Sequence, residues 1–161
     1  MVEPAVEQVV VAQRANLDQL RLFAWVALIL LVAQNLSGLY LNLYVALPIP
    51  SGLGLFLLSA VLDFHIANAF LLVVGGVFLL VYAVRTRVRR LRWLGIGALT
   101  AVVFALQEGF AFTFTQNNGF SFGMEAGFLA AMFLCGTILF LTAPADPLGS
   151  AAPVGAPSTS E

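Results

Sequence analysis

Asp63, His65, Glu108 and Glu125 lie inside stretches of this chain that are otherwise almost wholly apolar. A charged side chain at hydrocarbon depth costs at least ~2.5–3.5 kcal/mol on insertion scales, so such groups are retained where their chemistry is used. One imidazole among carboxylates offers a nitrogen ligand, oxygen ligands and exchangeable protons, a set that suits zinc, manganese or iron, or a proton path. Gln34, Asn35 and Gln107 add amides at similar depth. The plainer reading is that these groups reach interfacial water, with Glu125 stabilised by the dipole of a nearby helix start.

The elements that hold them are four apolar segments, approximately Leu20 to Tyr44, Leu55 to Val84, Trp93 to Phe114 and Gly123 to Ala143. At ~1.5 Å rise per residue, each is long enough to cross ~30 Å of hydrocarbon. With 61% hydrophobic residues, 9% charged residues and a mean hydropathy of +0.99, a water-soluble fold would lack the polar surface to cover itself. The expectation is an all-α, four-helix transmembrane bundle forming one domain over residues 20–143. All seven cationic side chains are arginines. Arg14 and Arg21 flank the first segment, and Arg85, Arg87, Arg89, Arg90 and Arg92 fill the connection between the second and third. The positive-inside rule puts these, and with four crossings both termini, on the cytoplasmic side of a prokaryotic plasma membrane. The connections around Ala46 to Gly54 and Thr115 to Phe122, which carry no charge, then lie outside.

Glu3 and Glu7 stand where a cleavable signal peptide would carry positive charge. Residues 1–19 are expected to form an amphipathic interfacial segment, helical from Pro4 to Asp18 with an apolar run at Val9, Val10 and Val11. Residues 144–161, rich in Pro, Ala, Ser and Gly, read as a disordered tail. Cys135 is the lone cysteine, so no disulfide within the chain and no thiolate cluster can form, and packing is its expected role. The arginines can meet anionic lipid headgroups, and nothing supports a nucleic-acid partner.

Antiparallel crossings bring Asp63, His65, Glu108 and Glu125 to one outer-half layer, where a bundle can hold a cofactor or protonatable substrate between its helices. His65 shares its helical face with Val61, Asn68, Ala69, Leu72 and Gly76. Ala69 and Gly76 leave a shallow groove that suits a flat macrocycle or, more commonly, helix packing. Asp63, two residues from His65, points to another neighbour. Phe104, Glu108 and Phe112 share a face, and such aromatics can wall a porphyrin or quinone pocket or simply face lipid. Met124 and Met132 are candidate thioether ligands or core filler.

The run DFHIANAFLLVVGG, from Asp63 to Gly76, resembles the second helix of heme A synthases. The stretch LQEGFAFTFTQNNGFSFGMEAGFLAAMF, from Leu106 to Phe133, resembles that family's third-helix end, outer turn and fourth-helix start, and NLSGLYLNL resembles its first-helix end. Family members have halves that are four-helix bundles with paired heme-ligand histidines. The resemblance implies a half-size relative holding a b-, o- or a-type heme with His65 as the iron ligand. Where the family has its partner histidine this chain has Glu125, and where it has an essential acid this chain has Leu62, with Asp63 adjacent. The second ligand position would then fall to water, Glu125, Met124 or a second subunit. Gln34, Ala69, Gly76 and Phe112 would line the heme, and Asp63 and Glu108 would handle protons. The implied function is respiratory redox chemistry, as heme side-chain oxidation or electron transfer from quinol, in a homo-oligomer or larger respiratory complex. The alternatives are a non-catalytic small subunit of a larger membrane complex, or a divalent-metal or proton site.

Overall fold

The computed structural model describes residues 4–44 and 60–144. All regular structure among them is α-helical: α1 Pro4–Tyr44, α2 Ala60–Arg85, α3 Arg89–Thr115 and α4 Asn118–Leu141. A chain this apolar leaves lipid as solvent, and helices then satisfy backbone N–H and C=O groups within one segment. All four are long and apolar enough to cross a membrane.

The helices form an antiparallel ring. α1 packs on α2, α2 on α3, α3 on α4, and α4 closes the ring against α1, while opposite helices make no close backbone approach. Leu20, Ala24, Ala27, Leu31, Leu72, Leu79, Val102, Ala105, Phe128, Ala131 and Ile138 form the shared core. Cys135, 2% exposed, belongs to it, in keeping with a packing role. Phe122, Phe133 and Phe140 are more than 70% exposed, the outward surface expected of a bundle with lipid as solvent.

Different chemistry closes each seam. At the arginine end, the Phe23 ring of α1 stacks between Phe78 and Tyr82 of α2, with both centroid separations at 5.3 Å. Backbones approach closely where glycines face alanines, the usual device for helices that gain nothing by hiding from lipid. A Cβ on Gly95 of α3 would stand 2.9 Å from Ala83 Cβ, and one on Gly127 of α4 would stand 2.8 Å from Ala105 Cβ and 3.0 Å from the Ala101 carbonyl oxygen.

Short turns fix the antiparallel order. Between α2 and α3, the buried Thr86 hydroxyl donates to the Ala83 carbonyl at 2.7 Å and accepts the Val88 N–H at 3.3 Å, while Arg87 takes a left-handed φ of 59°. Between α3 and α4, Gln116 takes a φ of 54° and donates its N–H to Phe112. The Asn117 side chain then caps α4 by accepting the Gly119 N–H at 2.9 Å. That cap starts α4 five residues before the expected Gly123, shrinking the expected Thr115 to Phe122 connection to two residues.

The amino-terminal segment also differs from expectation. No helix breaker separates Asp18 from Leu20, and α1 runs unbroken for 41 residues, so residues 4–19 continue the first span rather than forming a separate short helix. Its length of ~60 Å is about twice the hydrocarbon thickness. Val9, Val10 and Val11 are exposed. The expected start of the second segment at Leu55, the connection at 46–54 and the tail beyond 144 lie outside the described residues.

The Gly127 contact includes backbone atoms that cannot swing aside, whereas nothing lies within 4 Å of a Cβ on Gly136. Gly127→Ala is therefore expected to destabilise by about 1–3 kcal/mol, and Gly136→Ala to be neutral or to stabilise by up to about 1 kcal/mol. Thermal unfolding in a fixed detergent compares the two.

Candidate functional site

His65 is the sixth residue of α2 and Gln34 stands ten residues before the end of α1, so antiparallel packing sets them against each other at the end opposite the arginines. One helical turn from each come Ser37 on α1 and Asn68 on α2. These four side chains form a continuous hydrogen-bond chain. Gln34 Nε2 lies 2.9 Å from His65 Nε2, and Ser37 Oγ lies 2.9 Å from His65 Nδ1. Asn68 Nδ2 donates to Gln34 Oε1 at 2.8 Å and to the Leu30 carbonyl at 2.9 Å.

Proton counting assigns the direction of each bond. The one Ser37 hydroxyl proton goes to the Gln34 carbonyl at 3.0 Å, leaving Oγ to accept from the ring. Nδ1 then carries the imidazole proton, and the bare Nε2 accepts from the Gln34 amide. Both ring nitrogens are thus spent on α1. Gly38 packs close against the ring, since a Cβ there would stand 3.1 Å from His65 Cε1. Gln34, Ser37 and Asn68 are all under 9% exposed, so water does not compete for these bonds. Among buried side-chain atoms only Asn68 Oδ1 is left without a partner among the described residues.

The acidic groups sit elsewhere. Glu108 is the eighth residue from the end of α3 and Glu125 the eighth residue of α4, which places them at matching depth, ~10 Å inside their helix ends. The Glu108 carboxylate lies over Gly123, where a Cβ would stand 2.5 Å from Oε2. Met124 covers Gly109, with Sδ 3.1 Å from a Cβ position there. Glu125 reaches across the α1–α4 seam, and Asn35, with Nδ2 turned toward it, donates to Oε2 at 2.8 Å and Oε1 at 2.9 Å. The opposite amide orientation offers only a 3.5 Å contact to Met132 Sδ, a far weaker acceptor than a carboxylate. Asp63 is partly buried and lies ~200° around α2 from His65.

The expected single layer is therefore divided. His65 with Gln34 occupies the α1–α2 seam, while Glu108 and Glu125 belong to the α3–α4 and α1–α4 seams. No three of the described His, Cys, Asp and Glu side chains come together as a metal-holding group. Gly76, expected to open a groove beneath His65, is filled from α3, since a Cβ there would stand 3.0 Å from Leu99 Cδ1. Ala69 is buried, Phe112 partly buried, and Phe104 exposed. Gln107, expected to join the outer-half polar layer, faces outward because it adjoins Glu108, which takes the position toward α4. Sequence reasoning gave Ser37 no role, although its three-residue spacing from Gln34 is matched by that of Asn68 from His65.

A porphyrin iron bound by His65 needs one ring nitrogen with a free lone pair. Nε2 is the only lone pair in this arrangement and Gln34 holds it, so the residues as packed do not fit axial ligation. No family model, curated protein or solved structure matches the chain.

Each link in the chain has a measurable weight. Gln34→Leu leaves His65 Nε2 bare and takes from Asn68 Nδ2 one of its two acceptors, with only the Leu30 carbonyl remaining, and is expected to cost about 2–3 kcal/mol. Ser37→Ala removes one bond across the α1–α2 seam, from His65 Nδ1–H, besides the local one to the Gln34 carbonyl, and is expected to cost about 1–1.5 kcal/mol. Reversible unfolding in mixed micelles gives the order, and an equal or greater loss for Ser37→Ala would contradict the assignment.

Proposed function

We propose that the protein is a non-catalytic subunit of a larger membrane assembly, with His65 serving as a clamp between α1 and α2. The observation that carries this reading is the use of both His65 nitrogens within the bundle. A catalytic or ligating imidazole must present a lone pair or a transferable proton to something other than its own scaffold, and this one presents neither. Asn35 meets Glu125 in the same manner, as a polar contact that joins helices. By the positive-inside rule, the arginine end and both termini lie in the cytoplasm of a prokaryotic cell.

One observation favours the heme reading. In metal sites the ligating histidine is held by a hydrogen bond from its other ring nitrogen, and the Nδ1–H bond to Ser37 is of that kind. Heme binding would require the Gln34 amide to leave Nε2, after which Asp63 and Glu108 would be the proton-handling groups and quinol a candidate donor.

A reduced-minus-oxidised visible spectrum of protein purified from its native membrane, beside His65→Ala and with metal analysis, separates the readings. The clamp predicts no Soret band and no stoichiometric metal. A Soret band lost in His65→Ala would overturn it in favour of heme.

A further inference from the structure

One stripe of α3 turns largely outward. Trp93, Thr100, Gln107 and Phe114 stand seven residues apart on it, with Ile96, Val103 and Phe110 between them at the alternating spacings of three and four. Trp93, Val103, Phe110 and Phe114 are exposed large apolar side chains, and Thr100 and Gln107 are exposed with them. Positions at these spacings line the seam when a helix pairs with another in a left-handed crossing.

Two members of the stripe are unsuited to lipid. Gln107 stands ~12 Å inside the end of α3 and Thr100 ~16 Å from its start, both within hydrocarbon for a helix of this length. Gln107 makes no hydrogen bond among the described residues, so its amide would face hydrocarbon with all its bonding capacity unmet. Thr113, Thr115 and Thr137 quiet their hydroxyls by donating to the carbonyl four residues earlier, and Thr100 does not. Unpaired polar groups in lipid are strong inducements to helix association.

We propose that α3 is a homodimer interface, in which Gln107 pairs with Gln107 of a second copy across a two-fold axis. A second copy fits because a carboxamide holds both donors and an acceptor, so two symmetry-related glutamines exchange reciprocal hydrogen bonds. Copies inserted in one orientation run their α3 helices parallel, which sets equivalent positions opposite each other. Thr100 then meets Thr100 two layers deeper, beyond Val103, and Trp93 and Phe114 close the seam at its ends. Polar layers in such a seam fix its register. This deepens the assembly reading by naming a partner, and it can fail separately from that reading.

The test uses the full chain in detergent and in lipid nanodiscs. In a Cys135→Ala background, Thr100→Cys and Gln107→Cys are expected to give disulfide-linked dimers on mild oxidation, and Phe133→Cys on the exposed face of α4 is expected not to. Gln107→Leu, which removes no bond within the chain, is expected to fold as the parent does and to dimerise about 3–30-fold more weakly. A chain that stays monomeric at all concentrations, cross-linking equally efficient at Phe133→Cys, or undiminished dimerisation of Gln107→Leu would each overturn the proposal. A monomer that captures a different membrane protein through α3 would overturn the second copy as partner while leaving the assembly reading in place.

Discussion

In hydrocarbon a polar side chain has only the protein to bond to, and the half of this bundle away from the arginines is arranged by that constraint. Gln34 is its centre. Its side chain takes one bond from Asn68 and gives one to His65, and its backbone carbonyl receives the Ser37 hydroxyl. Removing water makes these bonds hard to replace rather than individually strong, because the cost lies in leaving a buried partner bare. The neighbouring Asn35 points the other way, to Glu125 on α4. Two consecutive amides on α1 thus join it to both of its neighbours in the ring.

The rest of the ring is closed without polar chemistry. Aromatic stacking holds α1 to α2 at the arginine end, and glycine–alanine contacts bring α3 close to α2 and α4. The division is physically sensible. Close backbone approach needs small residues opposite each other, whereas a chain of directed hydrogen bonds also needs each donor to meet its acceptor. Apolar seams supply closeness, and the His65 chain sets which turn of α1 faces which turn of α2.

The architecture was readable from the sequence because hydropathy and span length are properties of a segment taken alone. Four crossings, the position of the arginine turn and a buried Cys135 needed no knowledge of neighbours. The start of α4 was misplaced because Asn117 caps the helix in a stretch too polar for a hydropathy reading to include. Rotation about each helix axis was the part that could not be read. Adjacent polar residues, Gln34 with Asn35 and Gln107 with Glu108, cannot share a direction, and sequence alone does not say which one faces the core. Gln34 and Asn35 both found partners on different neighbours, whereas Gln107 was turned outward by the seating of Glu108 over Gly123. His65 stands out in the sequence as the one imidazole, but its partners were decided by which face of α1 came opposite.

A single histidine makes one measurement decisive. Nitrogen-15 magnetic resonance of the histidine-labelled protein in lipid resolves both ring nitrogens without overlap, since His65 is the only source of signal. The predicted result is a neutral ring protonated at Nδ1, with Nε2 accepting a hydrogen bond that disappears in Gln34→Leu. A ring protonated at Nε2, or an Nε2 resonance unmoved by Gln34→Leu, would contradict the clamp and reopen His65 as a ligand or a reacting group.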